Sequence, residues 1–136
     1  MDAAVGRVRV RSRRRIALAV PVVIALGLVL RFGLSGYVAD ASGGVLYALL
    51  MYLAIAFIAP RHAAIRVGVI ALGVSVGVEL LQLTRIPLLL AEAFPPAALA
   101  LGTSFALADL PPYVVGALAG VLLDRFLASG RSAGRR

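Results

Sequence analysis

The chain of 136 residues is 62% hydrophobic and 15% charged, with a mean hydropathy of +1.01 and a formal net charge of +8. A soluble domain is about 45 to 50% apolar, so this composition does not fit a water-soluble enzyme, a soluble nucleic-acid-binding domain or a disordered tail. The chain has no cysteine and a single histidine, His62, which excludes disulfides and clustered histidine or cysteine metal sites. We predict an integral membrane protein of one domain, without a cofactor and without a nucleic-acid partner.

Four apolar stretches follow one another, at about residues 16–34, 44–60, 67–83 and 107–127. A helix rises about 1.5 Å per residue and the hydrocarbon layer is about 30 Å thick, so each crossing needs about twenty residues. We therefore predict an all-α polytopic membrane protein, with a four-helix membrane domain at residues 16–127. The intervening residues 85–106 hold Pro87, Pro95 and Pro96, which break helical hydrogen bonding. We expect this segment to lie in the membrane interface or to dip partly into the membrane.

The placement of arginines predicts the orientation in the membrane. Basic residues cluster before the first stretch, after the second, and at the end of the fourth and beyond it, which leaves only Arg31 and Arg85 for the opposite side. Short cytoplasmic loops carry the excess of positive charge, so we predict a plasma membrane protein with both termini in the cytoplasm. Residues 1–15 and 128–136 are then basic cytoplasmic tails, which can also attract anionic lipid. The net positive charge is explained by membrane insertion.

Two other interpretations of the N-terminal region stay open. Its arginines, the first apolar stretch and the small residues Ala39 and Ala41 resemble a cleaved signal peptide, although Arg31 and Asp40 are unfavourable near a cleavage site. The run 13–15 of three arginines also resembles a twin-arginine export signal. Because three further apolar stretches follow instead of a soluble cargo, we prefer a topology anchor.

Charged and polar residues are expected at one depth near the outer ends of the spans. Residues 16–30 cover only about 22 Å as a helix, so the first span must continue beyond Arg31. By the same argument, the third span must include Glu79 and Gln82 to be long enough to cross. The fourth span begins near Asp109. Charged groups at this depth usually face the bundle and find partners there. We predict a ligand-binding polar cluster that consists of Arg31, Asp40, Glu79, Gln82 and Asp109.

The sequence leaves the pairing inside this cluster open. Arg31 either pairs with Glu79 or Asp109 or extends to the outer headgroups. A carboxylate inside an apolar helix, such as that of Glu79, either pairs with arginine or is held protonated. Asp109 precedes two prolines and is also an ordinary helix N-cap residue, while Gln82 alternatively hydrogen-bonds a neighbouring helix. We interpret His62 as a solvated loop residue. We assign interfacial or packing roles to Tyr37, Tyr47 and Tyr52.

Glycine pairs four residues apart predict close helix packing. On the third span, Gly73 and Gly77 lie opposite the face that carries Glu79, and on the fourth span Gly116 and Gly120 share a face. Such pairs let helix backbones approach closely. They suit packing within the bundle, in a homo-oligomer or against a partner subunit.

The order of several of these residues resembles a known family. The segments concerned are Arg31-Phe32, Ala39-Asp40 through Tyr47, Glu79-Leu80-Leu81-Gln82, Leu101-Gly102-Thr103-Ser104-Phe105, Asp109, Tyr113 and Gly116. Over about residues 15–127 the chain resembles DUF2809, a family of small bacterial membrane proteins of unknown function. It is more distantly similar to VanZ-like proteins, which are associated with teicoplanin resistance, although Thr103 and Tyr113 replace residues usual in that family.

Three functions fit these observations. In the preferred hypothesis, the polar cluster binds a polar group such as a lipid headgroup or a lipid-linked intermediate of the bacterial cell envelope. In the second, the chain is a structural or assembly subunit whose charges only lock the bundle. In the third, it is an intramembrane enzyme that uses Glu79 or Asp109 as an acid or base, although no nucleophile motif accompanies them. The lipid bilayer is a partner in all three.

Overall fold

The computed structural model describes residues 10–129, with side chains as far as residue 126. Its helices are α1 (Arg13–Gly33), α2 (Gly36–Ile58), α3 (Ala64–Leu81), α4 (Ile86–Ala93), α5 (Ala97–Leu101) and α6 (Leu110–Ser129), and a 3₁₀ turn (Leu107–Asp109) precedes α6. Residues 10–129 contain no strand. The tail residues Arg7, Arg9, Arg131, Arg135 and Arg136 lie outside the described part of the chain.

Four helices are long and apolar enough to cross a membrane: α1, α2, α3, and α6 counted from the 3₁₀ turn. These segments have between 18 and 23 residues, which at about 1.5 Å per residue matches the hydrocarbon layer. The structure therefore agrees with the predicted all-α, multi-pass membrane protein.

The start of α2 differs from the sequence prediction. The helix begins at Gly36 rather than near residue 44, so Asp40 lies on the helix instead of in the preceding connection. The polar residues Asp40 and Ser42 interrupt the apolar pattern there, so the pattern does not indicate the first two turns of α2. The Ser42 hydroxyl donates to the Ala39 carbonyl oxygen at 2.8 Å, so the helix itself satisfies this polar group.

Residues 85–106 form no fifth long helix, as the prolines predict. Pro87 lies in the first turn of α4, where the absence of an amide hydrogen costs no helical hydrogen bond. Pro95 and Pro96 separate α4 from α5. The outcome is a pair of short helices between α3 and α6.

Helix α2 occupies the centre of the bundle and packs against α1, α3 and α6, and α3 also packs against α6. The buried face of α2 includes a repeat of every fourth residue, Gly44, Ala48, Tyr52 and Ala56. Glycines on α6 fit against this face. A Cβ on Gly116 would lie 2.8 Å from the Cβ of Ala48, and a Cβ on Gly120 would overlap the Tyr52 ring. Both glycines therefore pack inside the bundle.

The packed face of α3 is the face that carries its polar residues. Ala71, Ser75 and Glu79 are buried along it, and the Ser75 hydroxyl donates to the Ala71 carbonyl oxygen at 2.9 Å. Gly73 and Gly77 lie on the exposed side, where an added Cβ would meet no atom within 4 Å. A packing role for these two glycines therefore requires a second molecule.

Candidate functional site

One end of the bundle encloses a cavity of about 520 Å³. Helices α1 and α3 end there, and α2 and α6 begin there, so we call it the cavity end. Side chains from all four helices reach the cavity, as does the segment between α5 and α6. The polar and aromatic lining residues include Arg31, Asp40, Tyr47, Gln82, Asp109 and Tyr113. Four of the five residues of the predicted cluster thus line one cavity.

Arg31 pairs with Asp40 and not with Glu79. The guanidinium Nη1 of Arg31 lies 3.7 Å from Oδ1 of Asp40, and both side chains are about two-thirds exposed, at 66% and 63%. Exposed pairs of this kind contribute about 0 to 1 kcal/mol. The pair therefore leaves the guanidinium available to other groups at the mouth of the cavity.

Glu79 is completely buried and lies behind the cavity rather than in its lining. One carboxylate oxygen accepts the backbone N–H of Ala106 at 2.5 Å, and the other accepts the Tyr113 hydroxyl at 2.8 Å. A buried carboxylate is stable only when such partners replace water. Glu79 consequently ties α3 to α6 and to the segment that precedes α6.

Two more side chains hold the backbone of the same segment. The Gln82 amide Nε2 donates to the Leu101 carbonyl oxygen at 2.6 Å, and the Tyr47 hydroxyl donates to the Ala100 carbonyl oxygen at 2.8 Å. We call residues 98–106, which run from α5 into the connection before the 3₁₀ turn, the docked loop. Gly102 gives it a left-handed turn, with φ of +63°, and a Cβ at this position would collide with the Gln82 amide. Only glycine combines this conformation with the close approach.

Asp109 ends the 3₁₀ turn and faces the cavity, half-buried. Its backbone N–H donates to the Ala106 carbonyl oxygen at 2.9 Å. Its carboxylate makes no hydrogen bond or ion pair with the described residues, although it experiences the charges of Glu79 and Asp40. Asp109 is therefore the carboxylate that this end of the bundle leaves available for a ligand.

Three tyrosines line the cavity, Tyr37, Tyr47 and Tyr113, and none of them was predicted from the sequence as a site residue. The rings of Tyr47 and Tyr113 lie 5.9 Å apart between centroids, tilted by 46°. Their spacing held a usable signal, because Tyr47 stands two helical turns after Asp40 and Tyr113 one turn after Asp109. Composition alone favoured interfacial or packing roles, which is why Tyr47 was assigned one.

A second polar cluster lies at the opposite end of the bundle and was also not predicted. Asp124 Oδ2 accepts Arg11 Nε at 2.5 Å and the Tyr52 hydroxyl at 2.7 Å. Arg11 Nη1 also donates to the carbonyl oxygen of His62 at 2.7 Å, so the exposed His62 takes part through its backbone. We call Arg11, Tyr52, His62 and Asp124 the tail-end clasp. It joins the segment before α1 to α2, α6 and the α2–α3 connection.

Neither cluster provides a metal centre of the usual kind. Within the described residues, no group of three or more histidine, cysteine, aspartate or glutamate side chains could hold a metal ion. The cavity instead offers a guanidinium, carboxylates, an amide and three tyrosine rings. Such groups recognise polar and charged organic groups.

The family model described as "Protein of unknown function (DUF2809)" matches residues 33–117, which is more than half of the chain. The chain belongs to this family. The matched region includes Asp40, Glu79, Gln82 and Asp109, and it leaves out Arg31. No curated protein and no solved structure matches the chain.

Proposed function

We propose that this member of the DUF2809 family binds the polar headgroup of a membrane lipid, or of a lipid-linked molecule of the cell envelope, in the cavity. One observation carries the proposal: side chains of α1, α2, the end of α3 and the 3₁₀ turn converge on a single cavity of about 520 Å³. That volume lies within the range of about 300 to 1,000 Å³ that is usual for small-molecule sites.

Apolar surface around the cavity favours an amphiphilic ligand over a freely soluble one. Leu99 lines the cavity and is 85% exposed. Phe32, the neighbour of Arg31 in the chain, is also 85% exposed. Leu88, Leu89 and Leu90 of α4 are exposed as well. A lipid can place its headgroup in the polar interior while its acyl chains cover the apolar surroundings.

The proposed orientation puts the cavity end on the outer side of the plasma membrane, with both termini in the cytoplasm. The placement of the arginines supports this orientation through the positive-inside bias. In this orientation, the bound headgroup is that of a lipid in the outer leaflet. The resemblance to VanZ-like proteins favours a lipid-linked envelope molecule as the ligand, and the arginines of the N-terminal tail add an attraction to anionic lipid on the cytoplasmic side.

A cavity-filling variant tests the proposal. An added Cβ at Gly43 meets no atom within 4 Å, and Gly43 lines the cavity, so Gly43→Leu adds an apolar side chain to the lining without a clash at its Cβ. Gly73→Leu is the matched control, because Gly73 is equally open but lies on the outside of α3. Native mass spectrometry of the purified proteins should show retained lipid in the wild type and in Gly73→Leu and a loss of lipid in Gly43→Leu. Equal lipid retention in all three would refute the proposal.

A second candidate function, as an assembly subunit, is favoured by the open glycines of α3. Gly73 and Gly77 meet no atom of their own chain within 4 Å, and such pairs let two membrane helices approach closely. If the chain is an assembly subunit, the double variant Gly73→Ile/Gly77→Ile should lose a stoichiometric partner or a second copy in cross-linking experiments in lipid nanodiscs. An unchanged cross-linking pattern would count against this function.

A further inference from the structure

The charges around the cavity are unbalanced, and the imbalance restricts the ligand. Asp40 and Asp109 line the cavity and Glu79 lies behind it, whereas Arg31 is the cation of the lining. Arg31 is already paired with Asp40. Asp109 and Glu79 consequently give the interior a negative potential, because no cation of the described residues is paired with either.

A purely anionic headgroup fits this cavity poorly. Its one cationic partner in the lining would be Arg31, which is largely exposed and already paired with Asp40, and it would also approach the carboxylate of Asp109. Like charges in contact are unfavourable, and the low dielectric constant of a membrane protein strengthens their repulsion. The cavity instead favours a positive charge next to Asp109.

We propose that the cavity selects a phospholipid headgroup with an ammonium group, which binds Asp109 while its phosphate binds Arg31. This inference rests on the proposed function and names its ligand class. A carboxylate and an ammonium form a charge-assisted hydrogen bond. The rings of Tyr47 and Tyr113, 5.9 Å apart, add aromatic faces that attract a cation.

The geometry of Arg31 suits the phosphate of the same headgroup. Its separation of 3.7 Å from Asp40 is longer than the 2.7 to 2.9 Å or so of a charge-assisted hydrogen bond. A guanidinium has five N–H donors, so Arg31 can bind phosphate oxygens without first breaking a tight contact. A zwitterionic headgroup of the phosphoethanolamine type therefore complements both charged groups, Arg31 and Asp109.

Competition between lipids in nanodiscs tests this ligand class. The probes are phosphatidylethanolamine, phosphatidylglycerol and N-acetyl phosphatidylethanolamine, which keeps the phosphate but lacks the ammonium charge. We expect native mass spectrometry to show a preference of about tenfold for phosphatidylethanolamine, since one charge-assisted hydrogen bond contributes about that factor. Asp109→Asn should abolish the preference. Glu92→Gln, which neutralises an exposed carboxylate on α4 outside the lining, should preserve it.

Each contrary outcome has a distinct meaning. Equal or tighter binding of phosphatidylglycerol, lost on Arg31→Ala and on Gly43→Leu, would overturn the ammonium inference and leave headgroup binding intact. Lipid binding unaffected by Gly43→Leu would overturn the proposed function itself. Binding of free phosphoethanolamine as tight as that of the phospholipid would overturn the assignment to a lipid. An unchanged preference in Asp109→Asn, with the protein folded by circular dichroism, would overturn the role of Asp109.

Discussion

Glu79 shows how a residue that is conspicuous in the sequence acquires a different role in the structure. The sequence presents a carboxylate in an apolar helix, which is typical of a functional site. In the folded protein both of its oxygens accept hydrogen bonds, from Ala106 and Tyr113, and the side chain is completely buried. Glu79 therefore positions the docked loop and α6, while Asp109 faces the cavity.

Replacing Glu79 with leucine should destabilise the protein much more than replacing it with glutamine. Leucine leaves the Ala106 N–H and the Tyr113 hydroxyl without acceptors, at about 1 to 3 kcal/mol for each. Glutamine keeps one acceptor oxygen for Ala106, and its amide can donate to the Tyr113 hydroxyl, which rotates to accept. Unfolding in detergent, followed by circular dichroism, measures the difference. Equal stability of the two variants would show that the hydrogen bonds to Glu79 do not hold the bundle.

The elements of the bundle are held together differently at its two ends. At the cavity end, the side chains of Tyr47, Glu79 and Gln82 hold the backbone of the docked loop. At the other end, the tail-end clasp fixes the segment before α1. This contact matters because α1 packs against α2 and has a single buried residue, Ile16.

Asp124→Ala should loosen the clasp measurably. The variant leaves the Arg11 guanidinium and the Tyr52 hydroxyl without their shared acceptor, and the Arg11 and Asp124 side chains are only 12% and 21% exposed. We expect a loss of about 1 to 3 kcal/mol in unfolding free energy, together with faster hydrogen exchange in the first turn of α1. Asp40→Ala is the matched control. It breaks an exposed ion pair and should cost at most about 1 kcal/mol.

At the scale of the whole molecule, apolar run length predicted the four long helices, and the prolines predicted the interruption between α3 and α6. The start of α2 was missed because Asp40 and Ser42 break the apolar pattern. For the site, helical rise placed Arg31, Glu79, Gln82 and Asp109 at one end of the bundle, and Asp40 was expected beside them in the connection after the first span. Helical rise does not predict which side chains pair with one another. The Arg31–Asp40 pair, the hydrogen bonds of Glu79 and the tail-end clasp depend on helix rotation and contacts between distant segments.

The orientation of the whole molecule can be measured directly, because the natural chain contains no cysteine. Ser35→Cys places a thiol in the exposed connection at the cavity end, and His62→Cys places one in the exposed connection at the opposite end. With both termini cytoplasmic, a membrane-impermeant maleimide should label Ser35→Cys on intact cells and His62→Cys only after permeabilisation. The reverse pattern would invert the proposed orientation.

Photocrosslinking is the most direct test of headgroup binding at the cavity end. A phosphatidylethanolamine with a diazirine near its headgroup is incorporated into nanodiscs with the protein, illuminated, and its attachment sites are mapped by mass spectrometry. We predict that the label concentrates at residues 37–47 and 98–113, which contain most of the residues that line the cavity, and that Gly43→Leu removes it while Gly73→Leu does not. Label spread evenly over the exposed faces of α1 and α3, unchanged by Gly43→Leu, would contradict a headgroup site in the cavity.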